Sequence, residues 1–188
     1  MRLIRASKAA TFPGLGTPDA VRPAERGQSL VEFALVLTPL LFILLGIVQF
    51  GFIFNAYVTL TNAAREAARE GSVYVYVRTL SKSQNDVARN DAISAALASS
   101  MNYLPTSAPH FTRTGTWSQL GSTWTDGDVK VTYAIPSGIS DTDSRLGQQV
   151  TVNARFHQDL IVPLIAQLLP RDANGRLGLT GEVTMVVN

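Results

Sequence analysis

"RGQSLVEFALVLTPLLFILLGIVQFGFIFNAYVTLTNAAREAARE", residues 26–70, joins two patterns in one uninterrupted run. From Phe33 to Ala64 no side chain carries a formal charge, and Leu30 to Phe54 is dense in Leu, Ile, Val and Phe. About 20 such residues cross the hydrocarbon core of a bilayer as a helix, so the run predicts a membrane span. A cleavable secretory signal is the rival reading, but its apolar region takes only about 7–15 residues and ends at a small-x-small site. This run is longer, and no A-x-A triplet lies within or just after it. Pro39 and Gly46 do not oppose the span, because membrane helices tolerate both.

The end of the run extends the helix. "NAAREAARE", residues 62–70, is rich in strong helix formers, and Glu66 and Arg69 stand three apart, as a helical ion pair requires. A continuous helix from about Ser29 to Glu70, with Gly71 as its C-cap, measures roughly 60 Å, twice the hydrocarbon thickness. Its second half must therefore meet water or protein. Tyr57, Leu60, Ala64, Ala67 and Ala68 fall on one face there, a stripe suited to packing on the chain's own distal domain.

Charge sets the orientation. Arg22 and Arg26 precede the span, while Arg65, Glu66, Arg69 and Glu70 beyond it cancel, so the positive-inside rule places the N-terminus in the cytoplasm and residues from about 72 onward outside it. The pI of about 9.2 derives largely from the first 27 residues. Without them the balance is slightly acidic, and no basic stripe interleaved with aromatics follows, so nucleic acid is not an expected partner. Residues 1–26 contain the Pro/Gly-bearing "ATFPGLGTPDAVRPAE", show no amphipathic period and predict no regular structure.

Beyond Gly71 the pattern changes to an α+β domain. "VYVYV", residues 73–77, alternates like a strand but equally continues the helix's last turns. Ser83 with Asp86 resembles a capping box for a second helix at about 84–102, with Val87, Ile93, Leu97, Met101 and Leu104 on its inner face and Pro105 ending it. Three strands follow. Val129, Val131, Tyr133 and Ile135 alternate with polar positions; so do Val150, Val152, Ala154 and Phe156; and Leu177, Leu179, Val183, Met185 and Val187 form a third apolar face. Strands with one wet side build an antiparallel sheet covered on one face, and the amphipathic helices are the natural cover. "LIVPLIAQLL", residues 160–169, predicts a short helix after Pro163.

Little chemistry is visible. The chain has no cysteine, which removes disulfides, thiolate metal sites and cysteine catalysis. His157 falls on the polar side of its strand and reads as a solvated surface residue, and His110 lies in a Pro-containing loop with no second ligand nearby. "DTDSRLG", residues 141–147, places its Gly seventh instead of sixth and lacks the closing Glu of a calcium loop. "TDGD", residues 125–128, reads as an ordinary turn, and Trp117 and Trp124 as core or staple rather than a sugar-stacking surface. No nucleophile elbow, phosphate loop or HExxH occurs, so no catalytic residue, cofactor or metal is expected, and the chain reads as a non-enzyme.

One residue stands out against this background. Glu32 is a carboxylate at the front of the apolar run, where a charge costs about 2.5 kcal/mol or more near the bilayer centre and persists where a partner or an interface receives it. A plain signal anchor would let Glu32 snorkel to the cytoplasmic interface.

The segment from Arg26 through "NAAREAARE" resembles the TadE-like minor pilins, or pseudopilins, of the tight-adherence branch of type IV pili. Closely similar over residues 26–70, the chain follows that family only in outline beyond them. The resemblance implies cleavage by a membrane prepilin peptidase on the cytoplasmic side after a glycine, with a glutamate fifth in the mature chain and an aromatic after it. Gly27, Glu32 and Phe33 match that pattern, and Gln28 would become the new N-terminus. It implies a leader of residues 1–27, a transmembrane and extended helix of 28–71, and an extracytoplasmic domain of 72–188. It further implies that Glu32 pairs with the α-amino group of a neighbouring subunit as helices stack. The partners implied are the peptidase, other pilin subunits, the inner-membrane assembly platform and the lipid bilayer. The location implied is the bacterial inner membrane and, on assembly, a surface pilus. The alternative is an unprocessed single-pass anchored binding module of the envelope.

Overall fold

The structure, a computed structural model, describes residues 23–188, with side chains from Gly27 onward. The leader reading of residues 1–22 lies outside the described residues. Helix α1 spans Pro23–Ser72. It begins earlier than the expected Ser29 and includes residues 23–26, which the sequence left without regular structure. Pro23 at the start is compatible, because a first-turn N–H has no helical partner to lose. Pro39 lies inside the helix. The apolar window of α1 is wholly exposed, which separates it from the buried core helix of a water-soluble domain. It is one helix long and apolar enough to cross a membrane, and it supports single-pass anchoring.

The chain divides into two compact units, Met1–Phe42 and Ile43–Asn188. The second takes in the latter part of α1 together with residues 72–188. Leu60, Ala64, Ala67 and Ala68 are fully buried, as the helical stripe predicts, together with Ala56 and Ala63. Tyr57 is half-exposed and drops out of the stripe; Ala56 takes the inward position and lets the helix approach closely.

Five antiparallel strands form a meander in chain order: β1 Ser118–Leu120, β2 Thr123–Asp126, β3 Val129–Ala134, β4 Gln149–Gln158 and β5 Leu177–Val186. The last three are the predicted ones. Val129, Val131, Tyr133, Val150, Val152, Ala154 and Phe156 all face the core, with Val131 opposite Val152 and Val152 opposite Val183. Ile135 lies beyond the end of β3 and is exposed. The other face is polar and bonded across strands: Thr123 to Thr132 (3.2 Å), Thr151 to Thr184 (2.8 Å) and Asn153 to Glu182 (2.7 Å). A sheet with one apolar and one wet face needs a single cover, and α1 with α2 (Lys82–Ser100) supplies it.

The capping box of α2 is shifted by two residues from the expected one. Ser81 is the N-cap, its Oγ accepts from the Gln84 backbone N–H, and the Gln84 side chain accepts from the Ser81 N–H. Asp86 is thereby released for a different task, described below. Ile93, Leu97 and Met101 are buried as predicted, with Val87 and Leu104 packed at the margin. Residues 73–77 are neither strand nor helix. They run as an irregular segment tied to the chain end, where Tyr74 N donates to Asn188 O and Asn188 N to Ser72 O, both at 2.9 Å.

Gly71 does not cap α1 but sits inside it. A Cβ there would lie 2.6 Å from Ile93 Cδ1 and 2.8 Å from Cγ1, so glycine permits α1 and α2 to touch. Alanine gains about 1 kcal/mol of helix propensity, whereas overpacking a filled core costs about 1–3 kcal/mol. We predict that Gly71→Ala lowers stability by about 1 kcal/mol net and that Ile93→Val in the same background recovers part of the loss. Urea unfolding of the full chain in detergent, followed by Trp117 and Trp124 fluorescence, measures both.

Candidate functional site

Gly27, Gln28, Glu32 and Phe33 lie within the first turns of α1, and all four are exposed. Gly27 is the fifth residue of α1, past its first turn, and glycine is among the weakest helix formers. A Cβ added at Gly27 would meet nothing within 4 Å among the described residues, so no packing there requires glycine. Gln28 Nε2 donates to Glu32 Oε1 at 3.0 Å, one helical turn apart. Phe33 points its ring outward and is 63% exposed. Among the described side chains no cation lies beside the Glu32 carboxylate, whose hydrogen bond there comes from a neutral amide.

With that arrangement described, comparison with known families is informative. A family described as TadE-like protein matches residues 27–69. This stretch is similar to the TadE-like family. Its match starts on Gly27 and ends on Arg69, within the same bounds as the charge-poor helix and its "NAAREAARE" continuation. No curated protein and no solved structure matches the chain. The TadE-like segment and the distal domain share a core, because the buried alanines of residues 56–68 belong to both.

Within the distal domain the polar groups are largely engaged with one another. Asp86, expected as a helix cap, is buried and receives both Nε (3.1 Å) and Nη2 (2.8 Å) of Arg145. Arg145 Nη1 donates to Gln148 Oε1 at 3.0 Å, and its guanidinium lies 4.5 Å from the centroid of the Tyr133 ring. Burial and the Asp86 charge raise the Tyr133 phenol above its ordinary range, and its O–H donates to Asn90 Oδ1 at 2.8 Å. This network borders an open cleft of about 430 Å³, where Lys82 is paired with Asp141 at 2.7 Å. Residues 141–147 are thus a turn held by Lys82 and Gln148 at one end and by Arg145, with φ +62°, at the other. Among the described residues no group of three or more His, Asp or Glu is placed to hold a metal ion.

His157 is not the solvated surface residue that strand alternation predicts. It does lie on the polar face, but Nδ1 is 2.8 Å from Asp172 Oδ2 and Nε2 is 3.1 Å from Asp128 Oδ1. The two carboxylates thus approach the ring from its two nitrogens. "TDGD" is a two-residue hairpin turn with Gly127 at φ +59°, yet its acids are more than turn formers. Asp126 is buried and accepts from Thr114 N, Thr114 Oγ1 and Gly115 N, while Asp128 accepts from Thr112 N. His110 pairs with Asp159 at 2.7 Å. Trp124 is core, and Trp117 packs against the core with Nε1 bonded to Asp91 at 2.8 Å, the staple the sequence favours.

The backbone N–H groups of Arg176 and Asn174 and the His157 ring hold the Asp172 carboxyl below the usual carboxylate range. A depressed carboxylate stabilises the fold in full above the unfolded value, about 3.9, and this contribution is lost as pH falls through the lower folded value. We predict that Asp172→Asn, uncharged at every pH, reduces the drop in urea midpoint between pH 5 and pH 3. An unchanged drop would remove Asp172 from the acid response.

The sequence missed Gln49. It lies within the charge-free run, is 1% exposed, and its Oε1 accepts from Ile161 N (2.7 Å) and Val162 N (3.2 Å). Gln49 is the one amide between Phe33 and Phe54, and that is the signal that marks it.

Proposed function

We propose that this chain is a pilin-like structural subunit, cleaved between Gly27 and Gln28 by a prepilin peptidase and used in assembling or initiating a tight-adherence pilus. The observation that carries the reading is the TadE-like match beginning on Gly27, near the start of an exposed apolar helix whose Glu32 has no cationic partner among the described side chains. Its partners in this reading are the peptidase, other pilin subunits, the inner-membrane assembly platform and the bilayer. The N-terminus is cytoplasmic and the distal domain lies across the inner membrane.

Gly27→Val tests the processing step. A branched side chain crowds the scissile position of a membrane protease, and because nothing among the described residues packs against Gly27 the fold they form is indifferent to it. The variant is expected to insert normally, retain its leader, and disappear from sheared filaments. Wild-type mobility on a denaturing gel, with filament recovery intact, would contradict the proposal.

A further inference from the structure

The connection from β4 to β5 carries α3 (Pro163–Leu168), and no charge occurs between Asp159 and Arg171. This excursion leaves the sheet and packs on α1. Gln49 holds the backbone at Ile161 and Val162, and a Cβ on Gly46 would lie 3.5 Å from Ile165 Cδ1. Val162 and Ala166 are buried. Leu160, Ile165 and Leu169 are half-buried, whereas Ile161 (65% exposed), Leu164 (47%) and Leu168 (80%) point away from protein. Gln167 is the one exposed polar side chain of α3; a short helix bathed in water carries a mainly polar outer face, and an outer face this apolar fits a non-aqueous surrounding.

The docking position on α1 indicates which surrounding. A hydrocarbon core takes about 20 helical residues, so a span entered at Leu30 leaves near Gln49. Gly46 and Gln49, the two residues that hold α3, are therefore at the membrane boundary. Exposed apolar side chains of α1 around them, Ile47 and Phe50 among them, continue the same surface. At the far end of α3, Arg171 and Arg155 are both exposed and border one shallow hollow, where long guanidinium side chains can reach headgroup phosphates while apolar neighbours stay below.

We propose that residues 160–169 form a second membrane contact, with Ile161, Leu164 and Leu168 immersed in the leaflet next to the distal domain and Arg171 and Arg155 at headgroup level. This contact would fix the domain's height and rotation on the bilayer, which a single helix leaves free. It requires the membrane span and not the pilin reading.

The absence of cysteine makes the test direct. Ile161→Cys, Leu168→Cys and, as a control, Leu120→Cys on β1, where the side chain is 86% exposed, are each labelled with a small environment-sensitive fluorophore. The full chain is placed in phosphatidylcholine–phosphatidylglycerol vesicles and exposed either to iodide in the water or to lipids bearing a nitroxide near the headgroup. Tryptophan emission matching wild type confirms folding. Labels at 161 and 168 are expected to be severalfold less accessible to iodide than the label at 120 and strongly quenched by the nitroxide lipid. Iodide quenching equal to that at 120 would overturn the proposal. Protection from both quenchers would also overturn it, by showing that protein, such as a second copy, covers the patch.

Discussion

Asp86→Ala is expected to lower the stability of the distal domain by about 3 kcal/mol or more, the range for removing one partner of a buried ion pair. Asp86 and Arg145 are both nearly inaccessible, and Asp86 accepts two of the guanidinium's hydrogen bonds. A second cation, Arg89, is buried one turn along α2; it donates through Nη2 to Val75 O (3.1 Å), and its Nε and Nη1 have no partner. Asp86 bonds only to Arg145, but it stands three residues before Arg89 on α2, so its charge faces two buried guanidinium groups. Its removal leaves both uncompensated, whereas Arg145→Met leaves Asp86 with Arg89 nearby and should cost less. The asymmetry is the distinctive expectation, since a simple pair would lose similar amounts from either side. Urea midpoints of full-length Asp86→Ala, Arg145→Met and the double variant, read by tryptophan fluorescence in detergent, decide it. A loss under about 1 kcal/mol for Asp86→Ala, or the opposite order, would mean that water reaches the site.

Glu32→Leu is expected to leave membrane insertion and Gly27 cleavage intact while reducing incorporation into pili by about tenfold or more. Leucine removes a charge and adds apolar surface, so the span itself improves. On the proposed reading the new amine of Gln28 then enters an apolar bundle without a carboxylate, and an unpaired buried charge costs about 3–5 kcal/mol, well beyond one factor of ten. Within one chain Glu32 is already a turn away from Gln28 and bonded to its amide, so the helix aims the carboxylate toward the residue that the proposed cleavage would make the terminus. Membrane fractionation, leader removal and the amount in sheared filaments are read in the same strain. Normal filament recovery would return Glu32 to the role of a snorkelling carboxylate.

Periodicity reported those parts of the fold that depend on near neighbours. Val131, Val152 and the buried alanines follow the two periods that strands and helices impose, and the structure places them in the core. Strand β1 escaped notice because its three residues are all exposed and bury nothing that alternation could reveal; β2, at four residues, is only slightly more informative. Other misreadings share a cause in distance along the chain. Asp86 looked like a cap because the arginine that claims it is 59 positions away. His157 looked solvated because Asp128 and Asp172 approach from two separate turns, and Gln49 looked inert because its partners follow 112 and 113 residues later. Gly71 read as a helix end because Ile93, which requires the missing side chain, belongs to the next helix. The candidate site was legible for the opposite reason: Gly27, Gln28, Glu32 and Phe33 are consecutive or one turn apart and owe their arrangement to α1 alone.

The central claim is that this chain is processed as a pilin, and the N-terminal residue of the protein isolated from a host carrying its peptidase tests it most directly. N-terminal sequencing together with the intact mass should show a chain beginning at Gln28 and lacking residues 1–27. A chain beginning at Met1, recovered from membranes in which a known pilin is cleaved, would contradict the claim and leave a membrane-anchored binding domain in its place.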